Sequence, residues 1–360
     1  MVRVGVVGTS WWADSMYLPA LKNHPQAEVV AVCGRDYKRL KEFARRWEIP
    51  ATYTDYHEMI ERAGLDALIV ATANNTHYPI TMTALDAGLH VLCDKPLAQN
   101  ADQARAMADA AKRAGVKTMV PFTYRYMPTT RYIKQLLDEG YIGQPYHLNM
   151  RYYTGYGRDR EYNWRFDADV AGAGVIADLG SHWFYLARWF FGEIKALSCY
   201  CATLVQRGDH PQGFDYTRAE DSAIITVRFA NGAYGSLQVT TVCYEGTPFG
   251  QTHHMEFHGS EGTLYHHIDW DTVQEIRGCR DGGKPEPIEV PEAVWAGARR
   301  DTVHNTYKDV FRQQDHMTRE FITAIANNTP VEPDFDEGAR VQALVDAAVR
   351  SAKAGCWVEF

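Results

Sequence analysis

The chain has 360 residues, 46% hydrophobic and 23% charged, enough to bury a large core, and its length points to two domains. A net charge of −8 argues against a nucleic-acid-binding surface and leaves a small molecule as the expected partner. Seven cysteines, an odd count with no C-x-x-C pair, suggest neither a disulfide framework nor a zinc site, so reduced thiols in a cytoplasm are expected. The first residues run directly into a strand and no apolar run approaches roughly 20 residues, so neither export nor a membrane span is expected.

Over residues 2–121 apolar runs of strand length, at 3–7, 29–33, 67–71, 90–93 and 117–121, alternate with helical patterns at 37–47, 78–87 and 102–114. This alternation predicts a parallel, doubly wound Rossmann-type sheet over residues 1–122. Gly88 and Gly115 stand where left-handed helix caps are wanted. Gly8-Thr9-Ser10-Trp11-Trp12-Ala13 follows the first strand and opens a helix, the context in which backbone N–H groups face a pyrophosphate. Ser10 replaces the middle glycine, and its hydroxyl could donate to a phosphate oxygen instead. After the second strand, Cys33-Gly34-Arg35-Asp36 displaces the acid that would hold the ribose of NAD. A small residue followed by arginine leaves room for a 2′-phosphate and supplies a planar cation, which favours NADP over NAD.

Thr72, Asn74 and His77 follow the third strand and are read as cofactor contacts, with Asn74 against the nicotinamide ribose. The fourth strand stops at Asp94-Lys95-Pro96, which puts Lys95 at the carboxyl edge of the sheet, where open α/β sheets bind ligands. Pro96 biases Lys95 toward an extended backbone, and Lys95 is the leading candidate for chemistry.

A linking helix at 129–138 leads into runs rich in aromatic and β-branched residues at 146–153, 224–229, 233–242 and 253–258. They predict an α+β domain over 123–360 with a large, mostly antiparallel open sheet. Asn231-Gly232 and Gly259-Ser260-Glu261-Gly262 are turn signals, 280–291 reads as a loop, and a helix is expected at 336–354. A sheet with one face left over by its helices leads to the expectation of a homo-dimer or homo-tetramer packed sheet to sheet. Asp178 and His182 lie four apart; on a helix they share a face, and a carboxylate beside an imidazole suits proton transfer near neutral pH. His253, His254, His258, His266 and His267 lack a ligand spacing and read as sheet residues, so no metal is expected.

Taken in order, Gly8 to Ala13, Thr72-x-Asn74-x-x-His77, Cys93-Asp94-Lys95-Pro96, Asn163-Trp164-Arg165 and Asp178-x-Gly-x-His182 resemble the glucose-fructose oxidoreductase, inositol dehydrogenase and MocA (Gfo/Idh/MocA) family over essentially the whole chain. The resemblance implies an oligomeric oxidoreductase that uses NAD or NADP on sugars, cyclitols and related alcohols. It implies that Lys95 sits by the nicotinamide and the reacting hydroxyl, with Asp178 and His182 completing the catalytic set and Trp164 and Arg165 contributing to the site. Asp94 replaces the usual glutamate. Tyr185 stands where a second aspartate often does, which points to a less polar or ring-stacking substrate. By position, Trp11 and Tyr124 are expected as walls. Two other readings stay open: a redox-assisted glycoside hydrolase, and a nucleotide-binding regulator, whose expected loss of the lysine or histidine is not seen here.

Overall fold

The computed structural model describes residues 1–246 and 249–360. The chain divides into two units, Met1–Phe122 with Lys308–Gln342, and Thr123–Tyr307 with Ala343–Phe360.

The first unit is built on six parallel strands, β1 (Val2–Val7), β2 (Ala27–Cys33), β3 (Ala51–Tyr53), β4 (Ala67–Val70), β5 (His90–Cys93) and β6 (Thr118–Met119). Their order is β3-β2-β1-β4-β5-β6. Val4, Val6, Leu68, Ile69, Val91 and Leu92 are wholly buried, as strands covered by helices on both faces must be. The order reverses between β1 and β4, so the loops leaving those strands border the crevice of a topological switch point. Asp36 and Asn100 cap their helices by accepting the amides of Arg39 and Gln103. Gly88 and Gly115 end theirs with φ of 74° and 66°, as the sequence requires. The short edge strand β3 was not expected; three half-buried residues carry no readable period.

The second expected domain, 123–360, is interrupted. Lys308–Gln342 returns to the first unit because its polar groups find partners there. The Val120 amide donates to Pro333 O at 2.8 Å, Arg312 to Ser15 O at 2.7 Å and Arg319 to Asn23 O at 2.6 Å, and Lys112 pairs with Asp336 at 2.6 Å. Gly338 is required on this segment, since a Cβ there would lie 2.7 Å from Val120 and 2.9 Å from Leu97.

The second unit carries a nine-stranded sheet of β7 (Pro145–Thr154), β8 (Ile194–Ala202), β9 (Ser222–Phe229), β10 (Tyr234–Thr240), β11 (Gln251–Gly259), β12 (Gly262–Asp269), β13 (Val273–Arg280), β14 (Glu286–Pro287) and β15 (Val358–Glu359). The order is β14-β13-β12-β11-β7-β10-β9-β8-β15, antiparallel except where β7 meets β10. Asn231-Gly232 turns β9 into β10, with Gly232 at φ 90°, and Gly259–Gly262 turns β11 into β12. The expected loop at 280–291 contains the two-residue β14, held by β13. Alternation marks the middle of the sheet: Leu148, Met150, Tyr152, Met255, Phe257 and Leu264 are buried on one face. His147, Arg151, His254, Glu256, His258 and His267 stand half-buried on the other. The helix Ser181–Phe191 is buried at ten positions, all but Trp189, and its Phe190 packs edge-on against Phe257, with ring centroids 4.9 Å apart. Among the described residues no helix is long and apolar enough to cross a membrane.

Candidate active site

In the first unit, β1 ends at Gly8, whose φ of 112° and proximity to β4 admit no side chain: a Cβ would sit 2.2 Å from Ala71 O. Thr9 leads to Ser10, which caps the next helix: its hydroxyl accepts the Ala13 amide at 3.2 Å and its carbonyl the Asp14 amide at 3.1 Å. Capping, rather than close approach to a phosphate, is thus a sufficient reason for serine in the middle glycine's place. The amides of Ser10 and Trp11 donate to no described residue, which fits an anion at this helix start. Trp11 is exposed and Trp12 half-buried, and Ala13 begins a widened π-helical turn, Ala13–Tyr17.

At the end of β2, Arg35 is exposed and makes no hydrogen bond or ion pair with a described residue, whereas Asp36 is engaged as a cap. Past β4, Asn74 is buried in a single 3-10 turn, and Thr72 accepts the Thr76 hydroxyl at 2.7 Å. His77 departs from its expected role. It is fully buried, with Nδ1 2.9 Å from Pro96 O and Nε2 3.2 Å from Thr72 O, so it ties the β4 loop to the lysine loop rather than facing a cofactor. Burial lowers its pKa, against the pull of Asp94 and the carbonyls. Asp94 turns back to accept the Lys95 amide at 2.8 Å. Desolvation raises the Asp94 pKa, opposed by Lys95 and His77. The lysine side chain is half-buried at the carboxyl end of β5.

In the second unit, Asp178 lies in a π-helical turn, Ile176–Gly180, that runs into the helix carrying His182. The regular i, i+4 face expected for the pair is therefore distorted, and Asp178 takes the Tyr156 hydroxyl and the Arg165 guanidinium, the latter at 3.4 Å. Desolvation of its hydroxyl and the Asp178 charge push the Tyr156 pKa well up, although the residue as a whole is exposed. Arg165 also lies over the Trp164 ring, 4.6 Å from its centre, in a turn capped by Asn163. Upstream, half-buried Glu220 receives the amides of Gly174 and Ile176 at 2.8 and 3.1 Å and so anchors the turn, and a Cβ at Gly174 would meet Glu220 O at 2.0 Å. His182 is buried, its ring 4.6 Å from that of Tyr124.

Tyr185 does not line an open site. It is buried, and its hydroxyl accepts Arg125 at 2.5 Å, while the guanidinium also lies 5.3–5.8 Å from the ring centres of Tyr126, Tyr185 and Trp189. The phenol satisfies a cation that a carboxylate would otherwise pair, so its presence is no ground for an apolar substrate. Tyr156 lies in the loop 153–160 that the sequence already connects with substrate specificity, whereas Tyr152, Gln251 and His253 were not anticipated near the site; only the histidine count pointed toward β11, and that was read as sheet surface. His253 and His266 face the buried side, while His254, His258 and His267 stand on the other.

A doubly wound sheet with an open helix start at its switch point, a lysine at the next strand end, and an acid and histidine on a distorted helix define the class of nucleotide-dependent oxidoreductases. The chain belongs to the Gfo/Idh/MocA family: residues 2–122 match the oxidoreductase family with NAD-binding Rossmann fold, and residues 130–265 its C-terminal domain. Among its relatives, levoglucosan dehydrogenase of Pseudarthrobacter phenanthrenivorans is 28% identical over 88% of this chain and 86% of its own. D-apiose dehydrogenase of Paraburkholderia graminis is 26% identical over 96% of this chain and 86% of its own. A solved structure of levoglucosan dehydrogenase with NADH and levoglucosan superposes over 99% of both chains with a TM-score of 0.87 at 25% identity.

Proposed function

We propose that this oxidoreductase interconverts a secondary alcohol and its ketone on a carbohydrate or cyclitol, with NADP favoured over NAD. The observation that carries the reading is the lysine fixed at the end of β5 in a chain whose relatives act on levoglucosan and apiose. The bound nicotinamide would supply the hydride acceptor or donor. Gly8, Thr9, Ser10, Trp11, Trp12 and Ala13 would hold the pyrophosphate, Thr72, Asn74 and Asp94 the nicotinamide side, and Trp164 and Arg165 would complete the set. His182 takes the hydroxyl proton as general base, Lys95 stabilises charge developing on the oxygen, and Asp178, oriented by Tyr156 and Arg165, positions the sugar.

The NADP preference rests on Arg35, an exposed cation that follows a glycine and has no partner among the described residues. Nicotinamide absorbance should be followed with both cofactors against sugars, cyclitols and their keto forms. Turnover of at least one of them, stronger with NADP, is expected, and Arg35→Ala should weaken NADP by about tenfold or more while leaving NAD nearly unchanged. An unchanged NADP/NAD ratio rejects the Arg35 assignment; silence across the panel rejects the substrate class.

The half-buried sheet face bearing His147, Arg151, His254 and His258 is the surface we assign to a homo-dimer or homo-tetramer. Light scattering after size exclusion is expected to give at least twice the chain mass of 40.8 kDa. A single monomer peak removes this part of the reading.

A further inference from the structure

The buried side of β11 brings five rings and one amide together beside His182. The Tyr124 and Tyr152 hydroxyls are 2.6 Å apart, and Gln251 Nε2 donates to the Tyr124 oxygen at 3.3 Å. The same Gln251 nitrogen is 3.1 Å from His253 Nε2. An amide nitrogen has two hydrogens and no lone pair to offer, so both neighbours accept, and the His253 proton is placed on Nδ1. His253 is wholly buried, and desolvation with the neighbouring His266 and His254 drives its pKa well below the ordinary value, so the ring is a fixed neutral dipole.

A donor inventory follows. One of the two tyrosine hydroxyl protons is spent in their mutual bond; the other has no acceptor among the described residues. The same holds for His253 Nδ1–H and for the indole N–H groups of Trp183 and Trp270, all buried. Their rings are close: His253 lies 4.6 Å from Tyr124, 4.9 Å from Trp183 and 6.0 Å from Trp270, and Tyr124 lies 4.6 Å from His182. Four buried donors without a described acceptor gather beside His182, and an acceptor-bearing group seated there would satisfy them.

We propose that Gln251 and His253 are positioning residues that hold the Tyr124 hydroxyl as a hydrogen-bond donor to an oxygen atom of the bound sugar. This rests on the carbohydrate-dehydrogenase reading. Burial raises the pKa of both tyrosines, so the pair stays protonated and cannot replace His182 as base. Each hydrogen bond that Tyr124 accepts polarises its own O–H and strengthens it as a donor. The pair thus supplies direction, and His182 supplies the proton acceptor.

The decisive variant is Gln251→Glu, whose carboxylate reverses the polarity by accepting the Tyr124 proton. Its kcat/KM for the sugar should fall about tenfold or more at pH 8 and recover partly toward pH 5, as the protonated carboxyl becomes a donor, a limb absent from the parent enzyme. Gln251→Leu should lose about tenfold at every pH, mainly through KM for the sugar, with nucleotide affinity intact. A parental pH profile in Gln251→Glu, or parental kinetics in Gln251→Leu, overturns the proposal. Nitrogen NMR of histidine-labelled protein, assigned with His253→Gln, decides the matter without turnover. His253 should remain the Nδ1–H tautomer from pH 5 to 8 and respond to saturating sugar. The opposite tautomer, or a resonance blind to sugar because the donors are met by water only, also overturns it. Absence of turnover in the parent counts instead against the dehydrogenase reading.

Discussion

Lys95→Met is expected to lower kcat/KM by about a thousandfold while nucleotide affinity changes by less than about threefold, because in the mechanism proposed above the ammonium stabilises negative charge developing on the reacting oxygen. The backbone that carries this side chain is anchored from both directions. Ahead of it, Asp94 accepts the Lys95 amide; behind it, the buried imidazole of His77 meets the Pro96 carbonyl and ties that loop to Thr72. A residue so held is pre-organised and loses little entropy on binding. Lys95→Arg should restore little, since a planar guanidinium replaces a compact point charge on a different stem. Stopped-flow hydride transfer on the folded variant is the measurement, and near-parental turnover in Lys95→Met removes lysine from the chemistry.

Arg207→Met should cost about 3–5 kcal/mol of unfolding free energy, the largest stability effect expected of a single substitution here. Arg207 and Asp221 form an ion pair at 3.2 Å with both side chains wholly enclosed, and Asp221 also accepts the amides of Leu204 and Val205 at 2.9 Å. Removing the cation strands a carboxylate in the interior. Arg207 further lies 3.6 Å over the Phe166 ring and donates to Gly157 O at 2.6 Å, one residue from the tyrosine that holds Asp178. The loss should therefore reach the site, as a raised KM for the sugar in the folded fraction. Adding Asp221→Asn should recover part of the stability, because the two charges depend on each other. Urea unfolding of the three variants checks this; a single-variant cost under about 1 kcal/mol refutes it.

The first unit was readable because its strands are covered on both faces and so appear as unbroken apolar runs such as Ala67–Val70, with caps and glycines at the helix ends. That Lys95 stands just past the end of β5, and that Asp178 and His182 fall on one helical stretch around Gly180, was readable for a related reason, since such positions carry clear strand-end and glycine signals. What escaped depends on pairings that sequence distance conceals. Arg125 reaches Tyr185 across 60 positions, and Gln251 reaches Tyr124 across 127. On β11 the alternation of histidine with Met255 and Phe257 assigns faces but cannot say which imidazole meets a glutamine. β12, with Tyr265, His266 and His267 in succession, carries too few apolar residues to declare itself. The return of 308–342 to the first unit was hidden because Gly338 looks like any helical glycine until Val120 and Leu97 are placed against it.

That return sets a timetable for biosynthesis. A ribosome emits roughly 5–20 residues per second, so β1 to β6 are outside the tunnel on the order of ten seconds or more before Lys308–Gln342 arrives to satisfy the Val120 amide and cover Leu97. During that interval the nascent first unit is a sheet with an unfinished flank, exposed to chaperones and proteases, and its quality control falls to a stretch of chain made after most of the second unit.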